Sequence, residues 1–234
     1  MKLYLIPSPI AESTSSLTLP SEIGNTILLC KHFFVENIRT ARRFISELKL
    51  GITIEELEFY ELTKDSQTAD IRTILKKLKA SNCKHLGVIS EAGCPGVADP
   101  GAVAVQIAHQ MGIEVVPLVG PSSILLALMA SGFSGQSFIF HGYLPIEKAN
   151  RIKKIELLEK EVVKSGQTQI FMETPYRNNA ILEDLINNCH PETLLSISAE
   201  LKGSDGFSKT MSIQHWKSQL PDLHKKPTIF LLGQ

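Results

Sequence analysis

The chain of 234 residues lacks an excess of either charge: Lys plus Arg number 24, and so do Asp plus Glu. That balance argues against a protein that coats nucleic acid through bulk charge, while leaving room for a local basic patch. Cysteine is scarce. The four present, Cys30, Cys83, Cys94 and Cys189, are widely spaced and form no C-x-x-C pair. Neither a cysteine-built zinc site nor a disulfide framework is expected, and reduced thiols in a cytoplasmic protein are. Metal-binding histidine patterns are missing too: the seven histidines show no H-E-x-x-H and no close pairing, so no metal is assigned. No G-x-G-x-x-G follows the first apolar run, where Pro7-Ser8-Pro9-Ile10-Ala11 stands instead, which excludes a standard dinucleotide fold. G-x-x-x-x-G-K-[ST] and G-x-S-x-G are absent, removing P-loop nucleotidases and α/β-hydrolases.

Long hydrophobic runs are also few. The apolar stretch after Lys2 is too short for a signal peptide and reads as a first strand. Residues 115–133 carry no charge, close to the ~20 residues a membrane span needs. Pro117, Gly120, Pro121, Ser122 and Ser123 interrupt that run, which reads better as a strand, a tight loop and a buried helix over 122–130. No membrane association is expected.

What is present is the composition of a packed protein, 43% hydrophobic and 21% charged. Short β-forming runs alternate with helical patterns. The strands expected are 3–6, 26–30, 86–90, 114–118, 137–141, 169–172, 194–201 and 228–232. Over residues 68–79, Ile71, Ile74, Leu75 and Leu78 fall on one helical face with lysines opposite. Asn178-Asn179 suits the cap of a helix burying Leu182, Leu185 and Ile186. A long helix over 146–164 opens with basic residues. This alternation predicts an α/β fold with parallel pairing in its first half. The loop at 118–121 sets a boundary between domains 1–118 and 119–234.

The densest chemical signal is residues 90–101, Ser90-Glu91-Ala92-Gly93-Cys94-Pro95-Gly96-Val97-Ala98-Asp99-Pro100-Gly101. Three glycines and two prolines in twelve residues make a loop whose backbone a ligand can approach closely. It follows a strand, where open α/β sheets bind ligands. Asp99 also suits a cap for a helix starting near Pro100. Three further polar segments end strands: Val119-Gly120-Pro121-Ser122-Ser123, Met172-Glu173-Thr174-Pro175-Tyr176-Arg177 and Ala199-Glu200-Leu201-Lys202-Gly203. Four such loops look more like one site than any does alone.

Taken in order with Gly142-Tyr143-Leu144-Pro145, these segments resemble the tetrapyrrole methylase superfamily, the class III S-adenosylmethionine (SAM) methyltransferases. The likeness leans toward the branch that methylates a ribose 2′-hydroxyl of small-subunit ribosomal RNA. It covers nearly the whole chain, and its most specific part is the 91–101 loop, similar to the family's S-D-A-G-T-P-x-I-S-D-P-G. The resemblance implies two α/β domains with the SAM cleft between them, in a homodimer. It implies cofactor contacts at Pro9, Glu91, Ala92, Gly93, Val97, Ser122, Ser123, Met172, Leu201, Pro227 and Thr228. The sequence departs from the branch where that family reads T-P-I-G-N-L-x-D, E-D-T-R-H and R-E-L-T-K. Ser8-Pro9-Ile10-Ala11-Glu12-Ser13, Glu36-Asn37-Ile38-Arg39-Thr40 and Ala199-Glu200-Leu201-Lys202-Gly203 stand there instead.

A hydroxyl acceptor must lose its proton during methyl transfer, which calls for a positioned base or nearby positive charge. Glu36, Glu200 and Lys202 are the candidates, with Arg39 and Arg177 as phosphate or acceptor clamps. Arg39, Arg42, Arg43, Arg151, Lys153 and Lys154 favour RNA as the partner. Two other readings fit the departures: methylation of a tetrapyrrole or other small molecule, and a SAM-binding module without catalysis.

Overall fold

The structure, a computed structural model, describes residues 1–63 and 65–234. The chain divides into two compact units, Met1–Ser122 and Ser123–Gln234.

In the first unit, strands β1 (Lys2–Ile6), β2 (His32–Val35), β3 (Glu58–Glu61), β4 (His85–Ile89) and β5 (Glu114–Pro117) form one sheet. Its order is β3-β2-β4-β1-β5 and every pairing is parallel. Helices α1 (Ser15–Thr18) and α2 (Ser21–Leu29) follow β1; α3 (Ile38–Glu47), α4 (Thr68–Ala80) and α5 (Gly101–Gln110) follow β2, β3 and β4. Because side chains alternate across a strand, each strand feeds two cores. Leu3, Phe34, Leu86 and Val88 pack with Ile71, Leu75 and Leu78 of α4 and Ala104 and Ile107 of α5. Ile6, Phe33, Val35 and Ile89 pack on the other face with Ile23 and Ile27 of α2 and Ala41, Phe44 and Ile45 of α3. Gly87 leaves that second face room for a ring, since a Cβ there would meet Phe33 at 2.5 Å.

The strand expected at 26–30 is the end of α2 instead, and the true strand is His32–Val35. Thr26-Ile27-Leu28-Leu29-Cys30 is a short apolar run, and such a run suits a buried helix turn as well as a strand. Ile23 and Ile27, one helical turn apart, are both buried, so helical period decided. Two more strands escaped the sequence pattern, Glu58–Glu61 in this unit and Phe207–Ser212 in the second. Both are edge strands in which charged or polar residues flank few apolar ones, Phe59 and Tyr60 in the one and Phe207 and Met211 in the other, and pairing completes the strand.

In the second unit, β6 (Phe138–Tyr143), β7 (Thr168–Met172), β8 (Leu194–Ala199), β9 (Phe207–Ser212) and β10 (Thr228–Gly233) run in the order β6-β7-β10-β8-β9. β6 and β7 are parallel; the other pairs are antiparallel. Helices α7 (Lys148–Ser165), α8 (Asn178–Asn188) and α9 (Ile213–Lys217) cover one face, around Phe171, Ile197, Phe230 and Trp216. Helix α6 (Ser123–Ser131) covers the other, through Ala127 and Leu128 against Ile170, Ile229 and Leu231. The uncharged stretch 115–133 is thus divided between β5 and α6, and among the described residues no helix is long and apolar enough to cross a membrane.

Arg151, counted above among RNA-facing cations, is 7% exposed. Its Nε and Nη2 donate to Asp184 Oδ2 at 2.7 and 2.6 Å, and Nη1 to the Ile146 carbonyl at 2.8 Å. It ties α7 to α8 rather than facing a ligand. Asn178 and Asn179 are the first helical residues of α8 rather than its cap. Their amides reach the Lys226 carbonyl at 2.6 Å and Asp222 at 2.8 Å.

Candidate functional site

In the first unit the helix after β4 lies on one face of the sheet, while those after its two neighbours, β1 and β2, lie on the other. The connections therefore part around the C-terminal end of β4, the crevice where open α/β sheets take ligands. The glycine-rich loop stands there. It is stitched to the loop after β1 by a backbone pair: Ser8 N–H donates to the Gly93 carbonyl at 3.0 Å and Gly93 N–H to the Ser8 carbonyl at 3.1 Å. Two buried hydroxyls brace the pair, Ser8 Oγ on the Ser90 carbonyl at 2.9 Å and Ser90 Oγ on the Gly93 carbonyl at 2.8 Å.

The fold gives Gly93 a reason of its own. Its backbone groups are spent within the protein, its φ is +74°, and a Cβ would lie 3.2 Å from the Pro121 carbonyl. Glycine is required by the loop itself, before any ligand is considered.

Pro9, Glu91 and Ala92 line a cavity of about 220 Å³, with Glu12, Thr40, Arg43 and Glu47. Arg43 bonds Glu12 at 2.9 Å, Ser15 Oγ donates to Glu47 at 2.9 Å, and Thr40 Oγ1 donates to Glu91 at 3.3 Å. Three carboxylates against one guanidinium give the cavity an acceptor-rich wall suited to amino groups. Val97 lies outside it and is 50% exposed.

Glu36 follows β2 directly, and its Oε1 accepts the Glu91 N–H at 3.2 Å. Burial first, then its hydrogen bond to Asp99, pushes its carboxyl up to about 7. Arg39 stands exposed in the first turn of α3, whose cap Asn37 accepts its N–H at 2.9 Å. Arg42 lies over the Phe59 ring, 5.3 Å from its centroid. These arginines follow β2, not a strand at 26–30. Ser122 ends the first unit and Ser123 opens α6.

In the second unit the remaining residues gather at one end of the sheet, because antiparallel pairing sets Met172 beside Ile229 and Ala199 beside Thr228. Glu200 N–H donates to the Pro227 carbonyl at 2.8 Å, and Lys225 N–H to the Pro175 carbonyl at 2.9 Å. Met172 and Leu201 pack against the core under α6. Glu200, Lys202 and Lys225 all adopt left-handed backbone, with φ of 47°, 70° and 62°. Such strain at non-glycine residues clusters at functional sites. Glu200 pairs with Lys226 at 3.8 Å, and Lys202 is exposed. Arg177 is committed elsewhere: Nη2 bonds the buried Glu173 and Nε reaches Thr174 Oγ1 at 3.3 Å. The structure thus collects Leu201, Lys202, Glu200, Met172, Pro227 and Thr228, and turns Arg177 inward onto Glu173.

Sequence reasoning passed over Glu12, Thr40 and Glu47 in the cavity wall, and Asp99 as the partner of Glu36. Only Asp99 carried a signal, its place between glycines, and that signal read as a helix cap.

No protein-family model matches the chain. It is 28% identical over 199 residues to the ribosomal RNA small subunit methyltransferase I of Synechocystis, covering 85% of this chain and 66% of that protein. The protein of that name in Bacillus subtilis is 31% identical over 175 residues, 75% of this chain and 55% of that one. The chain thus spans 66% and 55% of the length of these two relatives. The crystal structure of the methyltransferase CobJ aligns with a TM-score of 0.63 at 16% identity, over 100% of this chain and 93% of that one, which shows a shared fold. Fold and sequence likeness together make the chain similar to the proteins named ribosomal RNA small subunit methyltransferase I, on a fold shared with the methyltransferase CobJ.

Proposed function

We propose that the chain is a SAM-dependent methyltransferase that acts on a ribose 2′-hydroxyl of ribosomal RNA. The observation that carries this reading is the gathering of motif residues at strand ends in each unit, in a chain whose relatives bear that enzyme's name. On the first unit Pro9, Glu91, Ala92, Gly93, Val97 and Ser122 would meet SAM, with the Glu91 and Glu47 carboxylates suited to its ammonium group. On the second, Ser123, Pro227 and Thr228 offer polar contacts, and Met172 and Leu201 offer an apolar seat for a purine.

SAM supplies a methyl group activated on a sulfonium. The protein's task is then alignment, which in well-oriented systems is worth about 7–11 kcal/mol. Glu200 would accept the hydroxyl proton, Lys202 would favour its loss electrostatically, and the exposed Arg39 would hold a phosphate. A homodimer in the cytoplasm belongs to the same reading, supported by the exposed Phe138, Ile139 and Tyr143 on edge strand β6 and by four free cysteines. Light scattering of the purified protein tests the dimer.

A specific observation favours a second reading, methylation of a small molecule such as a tetrapyrrole. Arg151, Arg43 and Arg177 are paired with carboxylates, which leaves fewer guanidinium groups for RNA phosphates. Labelled methyl from SAM, offered with fractionated cellular RNA, protein and small molecules, separates the two. Label in ribosomal RNA as a 2′-O-methyl nucleoside is the expected result. Label confined to the small-molecule fraction overturns it, and no label in any fraction points to a non-catalytic SAM-binding module.

A further inference from the structure

The 90–101 loop is held at both ends by carboxyl groups. At its start, Glu36 Oε1 accepts the Glu91 N–H at 3.2 Å. Near its end, Asp99 Oδ1 accepts the Gly96 N–H at 2.8 Å and the Gly101 N–H at 2.6 Å. The other Asp99 oxygen, Oδ2, is buried, and no amide, amine or hydroxyl of the described residues reaches it. An orphaned buried acceptor is costly unless a donor exists. The carboxyl beside Asp99 is Glu36, on which Asp99 acts both through its charge and as a hydrogen-bond partner. Two ionised carboxylates cannot share a hydrogen bond, because each only accepts; a protonated Glu36 supplies the donor that the buried Oδ2 lacks.

We propose that neutral Glu36 is a positioning residue: its carboxyl proton, donated to Asp99, ties the two ends of the 90–101 loop together in the shape that receives the cofactor. The claim rests on the reading of this loop as the SAM site. It also moves Glu36 from the role of general base to that of a donor, since its proton is already engaged. The charges acting on Glu36 are those of Asp99 and Glu91, both acidic. At the start of α3, Asn37 caps the helix and Thr40 is bonded to Glu91, both uncharged, and Arg39 stands exposed in the first turn. Burial is the largest cause that lifts the Glu36 carboxyl to about 7, ahead of the Asp99 bond; the Glu91 N–H pulls the other way. Below that pH the tie is closed. Above it Glu36 is ionised, three carboxylates face one another, and the loop is released.

If only the tied form binds, apparent affinity follows the neutral fraction of Glu36 and weakens about tenfold from pH 6 to pH 8. The experiment is calorimetric titration of S-adenosylhomocysteine at both pH values into wild type, Glu36→Gln and Glu36→Ala. The glutamine amide donates to Asp99 and accepts from Glu91 at every pH. Glu36→Gln should therefore keep the wild-type pH 6 affinity throughout, while Glu36→Ala binds weakly at both. A flat wild-type profile, or Glu36→Gln following the wild-type curve, overturns the proposal. Infrared difference spectra of the cofactor-free protein give a readout that needs neither binding nor the alanine variant. A protonated-carboxyl band should be present at pH 6, lost by pH 8 and missing in Glu36→Gln; its absence from wild type at pH 6 overturns the proposal. Failure of the protein to bind S-adenosylhomocysteine at any pH would instead remove the cofactor reading, with the infrared band still deciding where the proton sits.

Discussion

The loop after β4 in the first unit and the loops after β8 and before β10 in the second put left-handed backbone on different residues. In the first, the chain turns mainly through glycines with positive φ, Gly93 at +74° and Gly96 at +82°, with Ala98 at 55°, and secures them with backbone pairs and buried hydroxyls. In the second, comparable left-handed turns fall on Glu200, Lys202 and Lys225, residues for which that conformation is unfavourable. The first arrangement favours a rigid cradle. The second retains strain at charged side chains, which is expected where side-chain identity is needed and glycine would not serve. The polar interiors differ as well: the first unit places its carboxyls around a loop, whereas the second spends a carboxyl and a guanidinium on holding α7 to α8.

The sharpest way to break the comparison is in that buried pair. Asp184→Ala leaves Arg151 buried with one carbonyl for a partner and should destabilise the second unit by about 3–5 kcal/mol. Urea unfolding, followed through Trp216, the sole tryptophan, reads this directly. A loss below about 1 kcal/mol would mean that water reaches the guanidinium and that the pair is not structural.

Gly93→Ala comes next. The left-handed backbone and the Pro121 carbonyl 3.2 Å from the new Cβ should cost about 1–2 kcal/mol in the absence of any ligand. Equal stability of variant and wild type without cofactor, combined with lost binding, would return Gly93 to the role of making room for SAM.

The converse change belongs to the second unit. Lys202→Gly relieves a φ of 70° and should raise stability by about 0.5–1 kcal/mol while lowering methyl transfer. Denaturant midpoints and turnover measured together test the contrast. Stabilisation with undiminished turnover would show that the lysine contributes nothing at the site.

Arg39→Ala has the smallest expected effect. It should leave stability unchanged and reduce the salt slope of RNA binding by about one unit. An unchanged slope at every salt concentration would favour the small-molecule reading.

Much of this was legible in the chain. The 3.6-residue period reports burial on one face, so the helix over Ile71, Leu75 and Leu78 emerges from residue order alone, while β4 and β7, buried on both faces, emerge as short apolar runs bounded by polar loops. Strand-end loops emerge because glycine, proline and hydroxyl residues punctuate the backbone locally. The segment 26–30 did not, because five residues cannot separate a buried helix turn from a strand until neighbours supply the other walls. Arg151 looked like a surface cation, since nothing near it in sequence reveals that Asp184 waits on the next helix.

The pattern of residues along the chain thus settles which segments are helix, strand or loop wherever the physics is local: spacing, torsional preference and short-range hydrogen bonding. Pairing across distance belongs to the folded state. Strand order put Glu36, at the end of β2, beside the loop that follows β4, and so decided that a carboxyl which would ionise freely in water keeps its proton to about pH 7. Burial and the company of other charges depend on three-dimensional neighbours, and no reading of residues in order contains them.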